Sequence, residues 1–150
     1  MGEWSFVVVD GGTVALEILI VDDDSDFRKV TGLSLSGKGY KVLEASGGRE
    51  AMNLAQQAQP DLILLDVLMP GLDGYETCRQ IKTNPATSHI PIIVLTAVSD
   101  PAARHKAQQA GADDCVAKLV MPQELHERVE RLLQRYELFR SARRRTDRDD

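Results

Sequence analysis

Residues 62–70 read Leu-Ile-Leu-Leu-Asp-Val-Leu-Met-Pro, an apolar run that stops at the carboxylate of Asp66. Three other segments also run from apolar residues to a carboxylate, a hydroxyl or an amine: Val-Asp-Asp-Asp at 21–24, Leu-Thr-Ala at 95–97, and Asp-Cys-Val-Ala-Lys at 114–118. Such runs are typical of a parallel sheet, in which strand ends converge on one polar crevice. The sequence therefore predicts that these segments together form the functional site.

Short strand-like runs alternate with helix-like stretches from Glu17 onward. Residues 18–21, 62–65 and 92–95 are continuously apolar, as expected of central strands that helices cover on both faces, whereas residues 40–43 and 114–117 are weaker strand candidates. The alternation predicts an α/β fold, a doubly wound five-stranded parallel sheet with helices on both faces.

The helices between these strands are recognised by their apolar spacing and their ends. Two sets each line one helical face: Ala51, Leu54, Ala55 and Ala58, then Leu72, Tyr75, Cys78 and Ile81. Asp24 and Ser25 can cap the first helix, Asp100 precedes the helix-compatible Pro101, and Gly111 ends that same helix.

Composition limits the class of protein. A chain of 150 residues suits one domain, and a net charge of -5 with a pI near 5.2 argues against a nucleic-acid surface. The two cysteines, Cys78 and Cys115, form no CxxC or Cys/His cluster, which indicates reduced structural thiols in a cytosolic protein. There is no signal-peptide pattern and no apolar stretch near the roughly 18 residues of a membrane span, so we expect a cytoplasmic location.

The two ends are harder to interpret. Residues 1–16 are an N-terminal extension in which 4–10 read as a strand, and they could form an added edge strand, a packing arm, or an artefactual or disordered arm. The last helix carries apolar residues with 4-3-4-3 spacing, which fits either a coiled-coil seam or, preferably, packing on the sheet: Leu125, Val129, Leu132, Tyr136 and Phe139. Residues 139–150 are predicted to be a frayed, charged tail or linker.

The four segments, in order and spacing, resemble the receiver domain of bacterial two-component response regulators. The matching motifs are Val-Asp-Asp-Asp at 21–24, the run 65–74 (Leu-Asp-Val-Leu-Met-Pro-Gly-Leu-Asp-Gly), Leu-Thr-Ala at 95–97, and Gly-Ala-Asp-Asp at 111–114 followed by Lys118. The resemblance covers about residues 17–138, which we take as the domain.

A magnesium site is expected among the acidic residues. Asp22 and Asp23 end one strand and Asp66 another, and crowded carboxylates are tolerated when a cation lies between them. Hard oxygen ligands in a half-open site select Mg²⁺. The resemblance implies that Asp23, Asp66 and the Leu68 carbonyl ligate the ion and that Asp22 acts through water. The alternative role for acidic residues at this position is to cap the helix that follows, and we assign that role to Asp24.

The resemblance makes Asp66 the phosphoacceptor rather than a simple turn-capping residue. A carboxylate can attack a phosphoryl group and form an acyl phosphate. Lys118 offers a positive charge for a phosphoryl oxygen, although an isolated lysine is usually only solvated. Thr96 supplies a hydroxyl, and the small Ala97 leaves the approach open.

Two residues depart from the family pattern. Cys115 stands where the family usually has an aromatic residue whose rotation accompanies movement of the threonine. Leu119 follows Lys118 where the family usually has a proline in a cis peptide. Because a non-proline cis bond costs about 3–4 kcal/mol, we expect a trans bond here, with the lysine still reaching the acidic pocket.

These features predict a switch and not an enzyme with an external product. The domain accepts a phosphoryl group from a sensor histidine kinase or a phosphotransfer protein and changes its partner contacts. One alternative is a phosphatase or phosphomutase, but such an enzyme would normally carry an aspartate where Leu68 stands. A further alternative is a receiver domain that binds its partners without phosphorylation. Homodimerisation is possible through charged residues of both signs near the fourth helix, fifth strand and fifth helix of the domain: Arg104, Lys106, Asp113, Asp114, Arg128 and Arg131.

Overall fold

The computed structural model describes residues 6–9, 12–68 and 73–148, with side chains described for 15–68 and 73–136. Within these ranges the strands are β1 (Phe6–Val9), β2 (Gly12–Ala15), β3 (Glu17–Val21), β4 (Lys41–Ala45), β5 (Leu62–Asp66), β6 (Ile92–Thr96) and β7 (Asp114–Ala117). The helices are α1 (Ser25–Ser36), α2 (Gly48–Ala58), α3 (Gly74–Thr83), α4 (Pro101–Gln109) and α5 (Pro122–Arg148).

The main sheet has five parallel strands in the order β4-β3-β5-β6-β7, which confirms the predicted fold class. The strand order reverses at β3, which pairs with β4 on one side and β5 on the other. In open α/β sheets, sites form beyond the carboxyl ends of the strands at such a reversal. The fold therefore directs attention to the ends of β3 and β5.

Two apolar cores cover the sheet, and strand alternation assigns each side chain to one of them. The α2–α4 core contains Val94 and Cys115, together with buried residues of α2, α3 and α4. The α1–α5 core contains Leu95 and Val116, together with buried residues of α1 and α5. The central strands β5 and β6 are buried along their whole length, which explains their continuous apolar sequence.

Most predicted helix boundaries are confirmed. Asp24 caps α1 by accepting from the backbone N–H groups of Asp26 and Phe27. Asp100 caps α4 and Pro101 occupies its first turn. Gly111 follows α4 with a φ of 90°, a left-handed conformation that glycine adopts without strain. In α3, Cys78 and Ile81 are buried as predicted, whereas Leu72 lies outside the described residues.

The N-terminal segment differs from the edge-strand interpretation. β1 and β2 pair with each other as an antiparallel hairpin, Phe6 opposite Ala15, and form a sheet separate from the main one. Residues 4, 5 and 10 of the strand predicted at 4–10 lie outside the described residues. Leu16 is 5% exposed, and its carbonyl accepts from Lys41 N–H, so the core begins one residue before the expected boundary at 17.

The last helix packs on the sheet and extends further than predicted. Leu125, Val129 and Leu132 are buried in the α1–α5 core, and Tyr136 packs against it. The α-helical backbone continues to Arg148, so a frayed tail from residue 139 is wrong for the backbone up to that point. Phe139 belongs to the part whose side chains are not described. No described helix combines the length and apolarity that crossing a membrane requires.

Candidate functional site

Three carboxylates converge where β3 and β5 end. Asp22 directly follows β3, Asp23 comes next, and Asp66 is the last residue of β5. One carboxylate oxygen from each lies within 4.8 Å of the others. Asp22 and Asp66 are buried, at 0% and 1% exposed, whereas Asp23 is exposed. The cluster predicted from two separated segments is therefore assembled at one edge of the sheet.

The Lys118 ammonium bridges the two buried carboxylates. Its Nζ atom lies 2.9 Å from Asp22 Oδ2 and 3.3 Å from Asp66 Oδ2. The other oxygen of each carboxylate accepts a backbone N–H two residues further on: Asp24 N–H donates to Asp22, and Leu68 N–H donates to Asp66, both at 2.9 Å. Burial lowers the pKa of Lys118, but the two aspartates raise it by more, so the net shift is upward and the lysine stays charged.

Two side chains of α1 support this arrangement, and sequence reasoning missed both. Lys118 Nζ lies 4.9 Å from the centre of the Phe27 ring, a cation–π contact. Arg28 Nη1 donates to the Asp22 carbonyl at 2.6 Å, and its Nε pairs with Glu44 of β4 at 3.0 Å. The available signal was helical spacing, since Arg28 lies one turn after the cap Asp24.

Thr96 and Leu68 stand at the rim. Thr96 ends β6, is 6% exposed, and its hydroxyl donates to the Val98 carbonyl at 3.5 Å. Leu68 directly follows the strand end, and its side chain is 55% exposed. Ala97 is exposed, which leaves the approach open as predicted.

The two departures from the family pattern have structural outcomes. No cis peptide occurs in the described ranges, so the predicted trans bond between Lys118 and Leu119 is confirmed, and the lysine still reaches the acidic pocket. Cys115 is buried in the α2–α4 core, where burial raises the pKa of its thiol. Ser99 Oγ donates to the Cys115 carbonyl at 3.3 Å and connects the loop after β6 to β7.

The donor set fits a hard divalent cation. Carboxylate oxygens from three aspartates lie close together, and one of the three, Asp23, faces solvent. Mg²⁺ prefers oxygen ligands and keeps several waters, which a half-open site allows. The residues therefore suit such an ion.

Comparison with known proteins agrees with the fold. Residues 18–130 match the family described as "Response regulator receiver domain". The chain is 45% identical over 119 residues to "Probable transcriptional regulator ycf27" of Guillardia theta, covering 79% of this chain and 46% of that one. It is 44% identical to "Transcriptional regulatory protein ResD" of Bacillus subtilis, covering 79% and 48%.

The chain thus spans about half the length of the curated relatives it matches. Among solved structures, the chemotaxis protein CheY4 of Vibrio cholerae superimposes with a TM-score of 0.75 at 30% identity, covering 79% of this chain and 98% of that one. The match to the family spans most of the chain, and the chain therefore belongs to the receiver domains of response regulators, the phosphorylation-controlled signalling switches of two-component systems.

Proposed function

We propose that Asp66 is the phosphoacceptor of this receiver domain. The observation that carries the proposal is the convergence on Asp66 of an acidic cation site and the Lys118 ammonium, 3.3 Å from Asp66 Oδ2. Asp24 has a different task, since it caps α1, and Asp22 pairs with the lysine at 2.9 Å.

In the proposed reaction, an Asp66 carboxylate oxygen attacks the phosphorus atom of a phosphohistidine. The new P–O bond forms as the P–N bond breaks, and the imidazole leaves with the electron pair and takes up a proton. As negative charge moves onto the transferred phosphoryl group, the Lys118 ammonium pairs with one phosphoryl oxygen. The Thr96 hydroxyl donates a hydrogen bond to another.

Magnesium would be held by Asp23, Asp66 and the Leu68 carbonyl, with Asp22 acting through water. When bound, the ion supplies positive charge that reduces repulsion between the carboxylates and the phosphoryl oxygens. Phe27 and Arg28 keep Lys118 and the Asp22 backbone in position for this task.

A protein is the proposed phosphodonor, either a sensor histidine kinase or a phosphotransfer protein. A donor that reaches Asp66 must approach the carboxyl ends of the strands, and the segments that follow β5, β6 and β7 carry large exposed apolar side chains: Leu68 (55%), Val98 (62%), Leu119 (91%) and Met121 (72%). Large exposed apolar groups at one end of a sheet are typical of a protein interface.

The domain acts as a switch, and its only chemistry is its own phosphorylation and dephosphorylation. The alternative of a phosphatase or phosphomutase is disfavoured because the exposed Leu68 provides no general acid beside Asp66. We also propose a cytoplasmic location and no nucleic-acid contact for this domain, whose net charge is -5.

The test is Mg²⁺-dependent labelling with acetyl phosphate, followed by mapping of the acid-labile phosphate. We expect labelling of the parent protein and none of Asp66→Asn. Asp24→Asn is the matched control, because it makes the same change three residues from a strand end, and asparagine caps helices as well as aspartate does. It should be labelled like the parent.

Full labelling of Asp66→Asn would show that another residue accepts the phosphoryl group. Absence of labelling in the folded parent would favour a receiver that works without phosphorylation. Circular dichroism of both variants controls for folding.

A further inference from the structure

Both backbone polar groups of Asp22 are held by the edge strand β4. The Asp22 N–H donates to the Ala45 carbonyl at 3.1 Å. The Asp22 carbonyl accepts from Arg28 Nη1 at 2.6 Å, and Arg28 Nε pairs with the Glu44 carboxylate at 3.0 Å. Because Glu44 and Ala45 are neighbours at the end of β4, this strand fixes the Asp22 backbone directly on one side and through Arg28 on the other.

Arg28 also connects the loop after β3 to the start of α1. The Asp22 carboxylate accepts from Asp24 N–H at 2.9 Å, and the Asp24 carbonyl accepts from Arg28 N–H at 3.1 Å. Together with the bond from the Arg28 side chain to the Asp22 carbonyl, these contacts form a closed circuit around Asp23. Asp23 is exposed, so packing does not fix its side chain. The direction of its carboxylate therefore depends on the backbone that this circuit holds.

The Arg28 guanidinium places a positive charge beside a cluster of carboxylates that suits a cation. A guanidinium pairs readily with carboxylates, so an unrestrained Arg28 could turn to Asp22 or Asp23 and compete with a metal ion. Glu44 occupies the Nε donor and keeps the side chain on the backbone carbonyl. The Glu44 side chain is 44% exposed, and an ion pair this open contributes little to stability. Its effect should therefore appear at the cation site more than in folding.

We propose that Arg28 and Glu44 are positioning residues for the cation site of Asp22, Asp23 and Asp66. Arg28 sets the direction of the peptide that joins Asp22 to Asp23, and Glu44 keeps the guanidinium from pairing with their carboxylates. The proposal rests on the magnesium site of the proposed function. The edge strand β4 thereby takes part in cation binding without contributing a ligand.

The sign of the change in Mg²⁺ affinity tests the role of Arg28. Arg28→Met removes a positive charge beside the carboxylates, which by charge alone would strengthen cation binding. If Arg28 positions Asp23, this variant should instead bind Mg²⁺ about tenfold more weakly than the parent, as is typical when a group that orients metal ligands is lost. Titration of Mg²⁺ followed by ¹H–¹⁵N NMR measures the affinity without a phosphodonor.

Lys29→Met is the matched control for charge. It makes the same change of charge one residue further along α1, at an exposed side chain, so it should bind Mg²⁺ as tightly as the parent or slightly more tightly. Urea unfolding without Mg²⁺ shows whether each variant keeps its fold. Should Arg28→Met fail to fold, Arg28→Lys keeps the charge but loses the two-armed contact, and it should also bind Mg²⁺ more weakly.

Glu44→Gln tests the second residue, because glutamine has the same length but forms no ion pair. Alone, it should weaken Mg²⁺ binding. In the Arg28→Met background it should leave the affinity unchanged, since no guanidinium remains to be restrained. A long-range effect of the lost charge would instead be equal in both backgrounds.

Each outcome separates this proposal from the assignment of Asp66. If the parent binds Mg²⁺ and Arg28→Met binds it equally well or more tightly, the role of Arg28 is overturned while the Asp66 assignment stands. An equal effect of Glu44→Gln in both backgrounds overturns the role of Glu44. If the expected affinities are found but acetyl phosphate does not label the parent, the proposed function fails and this proposal stands. If the parent binds no Mg²⁺, this proposal fails together with the magnesium site.

Discussion

At the scale of single residues, the candidate site depends on a backbone contact that only glycine permits. A Cβ on Gly74 would lie 2.4 Å from Val67 Cα and 2.7 Å from the Asp66 carbonyl oxygen. Both atoms belong to backbone, which cannot rotate away as a flexible side chain can. The start of α3 is therefore held directly against the strand end that carries Asp66.

Gly74→Ala should lower the free energy of unfolding by about 1–3 kcal/mol, because the added methyl group forces α3 away from β5. It should also slow labelling of Asp66, which urea unfolding and acetyl phosphate labelling would measure. Gly32→Ala, also in a helix, is the control. A Cβ on Gly32 would lie 3.4 Å from the Val42 side chain, which is an ordinary contact. Because alanine favours a helix more than glycine does, the free energy of unfolding should stay equal or rise by up to about 1 kcal/mol. Equal stability losses in both variants would contradict the contact.

Cys78 provides a prediction on pH. Burial raises the pKa of its thiol from 9.0 to about 12, and Sγ–H donates to the Ala110 carbonyl at 3.5 Å. Above pH 9 the unfolded thiol ionises and the folded one does not, so the unfolded state binds fewer protons and stability falls as pH rises. Below pH 9 this contribution is fully present.

The free energy of unfolding should therefore fall above pH 9 with a slope from Cys78 that approaches about 1.4 kcal/mol per pH unit. Urea unfolding of the parent and of Cys78→Ala, compared between pH 8 and 10.5, isolates this contribution from that of Cys115. Parallel pH profiles for the two proteins would rule it out.

At the scale of elements, α3 and α4 differ in how firmly they are anchored. The buried side chains of α3 include Cys78 and Ile81, whereas the one fully buried residue within α4 is Ala107. Small apolar side chains remove little surface from water, so a helix held by them moves at a low free-energy cost. The sequence of α4 is rich in alanine and glutamine and provides few large apolar anchors, so α4 is the element best suited to respond to events at Thr96.

Backbone amides of α4 should therefore exchange hydrogen at least about tenfold faster than those of α3. Beryllofluoride, an analogue of the phosphoryl group, should in the presence of Mg²⁺ change the hydrogen-exchange rates of α4. The change should be larger than that in α3 after the first turn of α3. Hydrogen–deuterium exchange by mass spectrometry measures both. Equal protection of the two helices, unchanged by beryllofluoride, would contradict this role.

At the scale of the whole molecule, the face formed by α4, β7 and α5 is already partly paired within the chain. Arg128 contacts Asp114 at 3.1 Å, and Asp113 accepts from Lys82 and Tyr136. Between these elements lies a cleft of about 340 Å³. Asp113 and Arg128 were expected to pair between two copies of the chain. Their charges are paired within one chain and stabilise the monomer, so reversing either charge would disturb its fold.

Self-association through this face is better tested at the exposed Lys106 and Arg131. If phosphorylation promotes association here, Arg131→Glu should weaken the beryllofluoride-dependent dimer by about tenfold, because it places like charges opposite each other. Sedimentation velocity with and without beryllofluoride gives the dimer affinity, and Lys38→Glu, on the loop after α1, is the control. An unchanged monomer in all conditions would exclude the dimer.

Much of the fold could be read from the sequence because its signals are local. Continuous apolar runs marked β3, β5 and β6, and the residues that cap or end helices marked α1 and α4. The carboxylates Asp22, Asp23 and Asp66 were placed together because parallel strands end at the same edge of a sheet. The continuation of α5 to Arg148 was missed, since a charged stretch without apolar residues has no periodicity from which to predict a helix.

The sequence by itself therefore determined the sheet, its reactive edge and the residues of the acidic cluster. The tertiary structure decided how those residues are held: the Lys118 bridge between two buried aspartates, and the Phe27 and Arg28 contacts. The physical reason is range, because helix and strand signals arise between residues a few positions apart. Contacts such as that of Lys118 with Asp22 join positions far apart in the chain and depend on how helices pack against the sheet.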